Sequence, residues 1–459
     1  MILQSAYRRR WRPTRYWLAA VLGAGILAVV VVSSVASLAL GPVPLRATMF
    51  GLPAAGLVVA ATVFFLRALH DREPAVRGRD LSRAAALLLV GGFLWLGVLD
   101  VYTFTRSAGP GVAAACAAAC IPTTAACLLV VRRLDRSEKE PWRLVLVATL
   151  WGAIVSTSLV FWAETLWDVV FTSNLVPGPA ADASAAYSAG IFEELAKGTA
   201  VVLLYLVMRD EFDDVVDGIV YGAAVGFGFN FMESIAYMTH VYALLSPEGA
   251  GTAGAIVQWY WRQVVGLFFG HATYTALIGA GLGVARQLPR ARQRVLVIAG
   301  GFLAAIAAHF AWDAWQALVV AGARSPVAQL LLDHVRELFM VGPFVAILLV
   351  LLAMGLQLEG AALTRHLEEE ARNPTGAVMP GEVGVLMSPR QRFRARTSAL
   401  VRGGPAAYVR LARLQTAQLH LAMERWHRER HEIDEPLAAE DALRQHVLAL
   451  RGSASPGSV

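Results

Sequence analysis

Continuous apolar runs separated by short polar stretches occupy the first 358 residues. Their length is the first physical clue, because a hydrocarbon core of about 30 Å is crossed by about 20 helical residues. The runs are unbroken, whereas a membrane barrel strand would alternate apolar and polar positions. Read this way, the pattern predicts ten spans, near 17–40, 47–69, 82–104, 108–131, 144–170, 187–208, 216–242, 256–285, 295–320 and 333–358. The expected fold is all-α, a polytopic helical membrane bundle of about ten transmembrane helices. Beyond 358 the pattern changes. Pro, Gly and Arg crowd 373–405, and a charged stretch follows over about 406–451. There Leu411, Leu414, Leu419 and Met423 recur between arginines. That spacing predicts an amphipathic helix lying on the membrane or against the bundle, with a solvated helix as the alternative. Gly452 to Val459 reads as disordered. The organisation is then a basic N-terminus over 1–16, a membrane domain over 17–358 and a mostly helical or disordered cytosolic tail over 359–459.

Composition agrees. Apolar residues make up 57% of the 459 and charged residues only 16%, outside the range of ordinary soluble domains. The first run is too long for a cleaved signal and follows Arg8, Arg9, Arg10, Arg12 and Arg15, so it reads as a retained anchor. Further basic clusters lie at 67–83, 132–143 and 286–294, while the alternate loops hold little beyond Arg46, Arg106 and Arg324. By the positive-inside rule both termini are cytoplasmic and the protein sits in the plasma membrane. The same topology accounts for the net charge of +6, so no nucleic-acid partner is expected. Cys116, Cys120 and Cys127 share one apolar span and read as small packing residues.

Ionisable side chains at membrane depth are costly and usually face a cavity or a partner. Four consecutive spans carry them. Glu193 and Lys197, four residues apart, share one helical face, with Glu194 about 100° away. Gly218, Gly222, Gly226 and Asn230 form a stripe at intervals of four, with Glu233 and Tyr237 close to it. His271 stands among Gly266, Gly270 and Gly279, and His309 is one turn from Asp313. At 1.5 Å per residue, Glu233 and His309 lie roughly 20–25 Å from the cytoplasmic face. Glu193 lies roughly 10 Å and His271 roughly 20 Å below the outer face. One cluster in the middle and outer bilayer is geometrically possible. Each residue also has a purely structural reading: Glu193–Lys197 as a buried ion pair, Asp313 as an orienting group, His271 as a satisfied core histidine, the glycines as packing. Three carboxylates and two histidines at matching depth are poorly explained as separate accidents.

Glu193-Glu194-x-x-Lys197, Phe229-x-x-x-Glu233 with Tyr237, His271, and His309-x-x-x-Asp313 together resemble the PrsW family of intramembrane proteases. Asp135-Arg-Ser-Glu-Lys-Glu-Pro141-Trp142 is similar to that family's acidic Glu-Pro loop, and the resemblance covers roughly 130–320. A more distant similarity is to the CAAX-processing and bacteriocin-immunity membrane protease superfamily. There the second motif commonly ends in His, where this chain has Glu233, and the last in Asn, where it has Asp313. Ser234 stands where Asn is expected after the PrsW-type glutamate. The resemblance implies an intramembrane endopeptidase with its catalytic helices over about 187–320. Its substrate would be another membrane protein within the lipid bilayer, cut in or near its transmembrane helix, such as an anti-sigma factor.

Peptide hydrolysis needs an activated water, a proton donor for the leaving amine and positive or hydrogen-bonding groups at the oxyanion. Glu193 is the first choice for general base, with Glu194 as partner or replacement and Lys197, Asn230, Tyr237 and Asp313 in support. His271, His309 and either Glu233 or Asp313 could bind zinc. A metal-free site in which the histidines stabilise the oxyanion stays open beside it. An ion- or proton-coupled transporter would use the same buried charges. No convincing internal repeat supports that reading, and a non-catalytic scaffold is the third.

Overall fold

A computed structural model describes residues 52–71, 73–135, 139–170, 179–208, 211–318, 326–429 and 438–452, together with Gly25 and Ala28. The first expected span, 17–40, lies outside the described residues apart from those two positions. Every regular element among the described residues is helical. In order they are α1 Leu52–His70, α2 Pro74–Ala108, α3 Pro110–Arg132, α4 Trp142–Leu150, α5 Thr157–Val170 and α6 Pro179–Val207. Next come α7 Val215–Leu245, α8 Gly251–Tyr260, α9 Gly266–Phe269, α10 His271–Gln287, α11 Ala291–Leu318, α12 Pro326–Met340 and α13 Gly342–Arg372. The last are α14 Val383–Met387, α15 Pro389–Glu429 and α16 Ala438–Gly452.

Eight helical stretches among the described residues are long and apolar enough to cross a membrane. They match the expected spans from the second to the tenth, except the sixth. The helix that covers the sixth, α6, is 29 residues long, but Glu193, Glu194 and Lys197 dilute its apolar character. Burial has the sense that a lipid solvent selects. Large apolar side chains such as Val59, Leu66, Ile256 and Leu303 face outward, while Lys197, Glu194, Asn230, Ser234 and Gln263 are enclosed.

The chain divides into two compact units, a membrane unit that ends at Leu351 and a C-terminal unit of 352–459 to which Asp135 and Lys139 also belong. In the membrane unit, α7 is the central rod, buried along most of its length. Glycine explains its close contacts. A Cβ at Gly218, Gly222 or Gly226 would overlap the backbone of Gly279, Thr275 or His271 on α10, so the two helices touch main chain to main chain. On the opposite side, Gly228 meets Thr149 and Gly152 meets Val225 in the same manner.

Three expected spans are less regular than their apolar pattern. The 144–170 span contains a π-helical stretch, Trp151–Ser156. The 256–285 span is not one helix: a π stretch over Trp261–Val265 leads to short α9, and the chain breaks at Gly270 (φ −118°, ψ −138°) before α10 restarts at His271. The 333–358 span starts inside α12, and the membrane-length helix is α13, entered at Gly342-Pro343 and running on to Arg372. Proline fits there because its missing N–H falls in a first helical turn.

The C-terminal unit corrects the expectation for the tail. Leu414, Leu419 and Met423 do not face a bilayer or solvent. Leu419 and Met423 pack with Leu363, Leu367, Leu386 and Trp426, and Leu414 packs with Leu421 and Val447. The Pro/Gly/Arg-rich stretch is largely helical too, in α14 and the first half of α15. Glu370 accepts from Arg444 Nε at 2.7 Å and Nη2 at 2.9 Å and from Arg425 Nη1 at 3.2 Å, which ties α13, α15 and α16 together. Of the end expected to be disordered, Gly452 closes α16 and residues 453–459 lie outside the described set.

Candidate active site

Four helices of the membrane unit deliver the buried ionisable groups to one place. On α6, Glu193, Glu194 and Lys197 fall within one turn, and Lys197 Nζ lies 3.2 Å from Glu193 Oε2 and 2.6 Å from Glu194 Oε1. Its third polar neighbour is His271 Nδ1 at 2.9 Å, and the ammonium stands 4.3 Å from the centroid of Phe229. An ammonium only donates, so Nδ1 of His271 accepts and Nε2 carries the proton. That proton points at Glu233 Oε2, 2.6 Å away. The break at Gly270 puts this imidazole at the very start of α10, where the glycine contacts with α7 bring it to Glu233.

His309 reaches the same cluster from α11. Its Nδ1 donates to Glu194 Oε1 at 2.9 Å, while Nε2 lies 3.3 Å from Asp313 Oδ2 and 3.7 Å from Glu193 Oε2. Glu193 Oε2 is also 3.6 Å from His271 Nδ1, so one carboxylate oxygen sits between two imidazoles and an ammonium. Tyr274 stacks on His309 with centroids 5.1 Å apart, and Thr275 Oγ1 donates to Glu194 Oε2 at 3.5 Å. Glu194 and Lys197 are fully enclosed and Glu193 is 6% exposed.

Arg262, which the sequence reading did not select, completes the cluster. Its Nη1 pairs with Glu233 Oε2 at 2.7 Å and its guanidinium lies 3.5 Å from the centre of the Tyr237 ring. Asn230 Nδ2 donates to the Arg262 carbonyl at 3.1 Å, inside the π stretch where main-chain bonding is altered. Asn230 and Tyr237 therefore both contact Arg262. Gln263 anchors the same stretch, donating to Ser234 Oγ at 2.9 Å and accepting from Thr123 Oγ1 at 2.6 Å. A charged residue within a 256–285 apolar run was the available signal for Arg262. A cavity beside His271 is lined by Asn230, Trp261, Arg262, Gly270, Tyr274 and Trp312, among others. Glu140 of the Glu-Pro loop lies elsewhere: it is buried and accepts from Tyr221 Oη, three turns and about 18 Å along α7 from Glu233. Residues 136–138 of that loop are outside the described set.

Glu193, Glu194, His271 and His309 each offer a ligand atom, all within 4.8 Å of one another. Two carboxylates and two imidazoles are donors that a zinc-class ion accepts, so the set fits such a metal. To load it, Lys197 must release three of the four. The zinc set read from the sequence shared only the two histidines with this group. Glu233 and Asp313 stand behind them, each on the Nε2 of one imidazole, as orienting carboxylates do.

Comparison with known proteins bears on the same stretch. Residues 140–355 match the model of the PrsW family of intramembrane metalloproteases. The family resemblance read from the motifs stands. The chain is also similar to a protein named Protease PrsW from Geobacillus kaustophilus (strain HTA426), at 31% identity over 146 residues. The alignment covers 30% of this chain and 59% of that relative's length. No solved structure matches. The PrsW match ends at 355, close to Leu352, so nearly all of the C-terminal unit lies beyond it.

Proposed function

We propose that this chain is an intramembrane endopeptidase that hydrolyses peptide bonds of membrane-protein substrates in or near their transmembrane helices, with anti-sigma-factor-like proteins as the substrate class. The observation that carries this reading is the meeting of Glu193, Glu194, His271 and His309 with Glu233 and Lys197 in one enclosed cluster. The PrsW match supports the protease over the transporter. The basic loops support an orientation with both termini cytoplasmic and the bundle in the plasma membrane.

Glu193 is the general base. Its Oε2 takes a proton from water, and the resulting carboxylic acid returns it to the leaving amine. Glu194 is held by Lys197, Thr275 and His309, and keeps the His309 imidazole in one orientation, with Asp313 on the other nitrogen. Glu233, fixed by Arg262, does the same for His271. Lys197 and His309 supply positive charge where the carbonyl oxygen becomes anionic. A zinc-class ion held by Glu194, His271 and His309 would polarise that carbonyl and acidify the water when bound, with Glu193 left beside it as the base.

The test is cleavage of a transmembrane reporter by the purified protein in detergent. Glu193→Gln and His309→Ala lower turnover on the order of a hundredfold or more, with expression and thermal midpoint retained. Normal turnover in both variants refutes the protease. Loss of activity with a chelator, restored by added zinc, assigns the metal-dependent form, and indifference to chelation assigns the metal-free one.

A further inference from the structure

The C-terminal unit carries charge of one sign along one helix. From Pro389 to Met423 the chain has seven arginines and not one Asp or Glu. Two of the seven are structural: buried Arg392 donates to the Leu386 carbonyl, and Arg396 Nε donates to Gln415 Oε1 at 2.7 Å. Arg390, Arg394 and Arg402 are exposed and form no ion pair with any described residue. Arg390, Phe393, Arg394, Leu400 and Val401 are related by spacings of three, four and seven and so share one face, with Arg402 at its border. Phe393 is 66% and Val401 81% exposed. The face ends at Gly403-Gly404-Pro405, where Gly404 adopts φ 72° and the helix kinks. It is not the face suggested by the Leu411–Met423 spacing, which is turned into the unit's own core.

We propose that the exposed face of residues 389–403 docks on anionic phospholipid headgroups. Arg390, Arg394 and Arg402 meet the phosphates, while Phe393, Leu400 and Val401 enter the interfacial layer. The unopposed positive charge selects an anionic partner. The aliphatic and aromatic side chains between the arginines select a partner with an apolar layer directly beneath its charges, which a bilayer has and a nucleic-acid backbone lacks. The unit is covalently joined to a membrane helix, so a bilayer is always present at high effective concentration. This inference is independent of the chemistry at Glu193.

The full-length chain is reconstituted into nanodiscs of phosphatidylcholine alone or mixed with phosphatidylglycerol, carrying an environment-sensitive fluorophore at Val401→Cys. The native Cys116, Cys120 and Cys127 are buried and stay unlabelled. In anionic discs the emission shifts to the blue and escapes a water-soluble quencher, and salt reverses both. Combining Arg390→Glu, Arg394→Glu and Arg402→Glu weakens docking on the order of a hundredfold and removes the shift. Because these arginines have no partner among the described residues, the triple variant keeps the wild-type thermal profile. Should it lose that profile, the lipid dependence of the singly labelled chain still decides. Identical spectra in neutral and anionic discs overturn the proposal, as does protection that requires added duplex RNA or DNA in place of anionic lipid.

Discussion

Arg262 closes a chain of contacts that begins at Glu193: Glu193 faces His271, His271 donates to Glu233, and Glu233 is clamped by the guanidinium. Replacing it by Met leaves the part-buried Glu233 with an imidazole as its remaining partner, at a cost of about 1–3 kcal/mol. We expect Arg262→Met to lower both the thermal midpoint in detergent and reporter turnover. Arg262→Lys should fall between Met and wild type, because it keeps the charge and loses the flat stacking on Tyr237. Equal turnover in all three proteins would remove Arg262 from the site. At this scale much of the cluster was legible, since an acid or imidazole deep in an apolar run has few uses besides a polar site. Arg262 escaped because a long basic side chain near the start of an apolar run reads as one that snorkels to the interface. The two roles of the acidic groups escaped as well. Which carboxylates face the centre and which stand behind a histidine depends on helix rotation, and spacing within one helix does not report rotation between helices.

Helix-to-helix distance is set by the glycines of α7. Adding even a methyl group at Gly226 drives it into the His271 backbone, so the helices must separate at the point where Glu233 and His271 meet. Gly226→Ala is expected to cost about 1–3 kcal/mol and to depress cleavage. Gly56→Ala in α1, where a Cβ meets nothing within 4 Å, should leave both unchanged. Differential scanning fluorimetry beside the reporter assay separates these outcomes, and equal behaviour of the two variants would contradict the packing argument. The glycine stripe was visible as a period of four, but the break at Gly270 was not. Around it the chain is apolar on both sides, and a single glycine inside a long hydrophobic run has no signature that distinguishes close packing from an interruption. The π stretches are hidden for the same reason: one extra residue per turn leaves the hydrophobic pattern nearly intact.

At the scale of the whole molecule, the membrane spans could be traced from hydropathy, and the C-terminal unit could not. Its core is assembled from positions far apart in the chain, such as Leu363, Leu386 and Trp426, so no local window reveals it. Ion pairs between α15 and α16 add a pH dependence. Burial raises the Glu440 pKa, but the hydrogen bond from Arg444 and the charges of Arg425 and Arg428 outweigh it, and the net shift is downward. A depressed carboxyl stabilises the fold above its unfolded value near 4.5, and that contribution is lost as pH falls through the lower folded value. Protection factors for hydrogen exchange in α16 should therefore fall as pH drops below about 4.5 and, in Glu440→Gln, should already be low at neutral pH. A wild-type profile in that variant would argue against the linkage. The position of Lys197, one turn from Glu193 and Glu194, also has a meaning for biogenesis. Each lone charge at the centre of a nascent span adds about 2.5–3.5 kcal/mol to the cost of lateral release from the translocon. By carrying its own counter-charge, this segment can leave the translocon before any partner helix has been synthesised, so loss of the lysine should show first as failed insertion in a glycosylation-mapping assay.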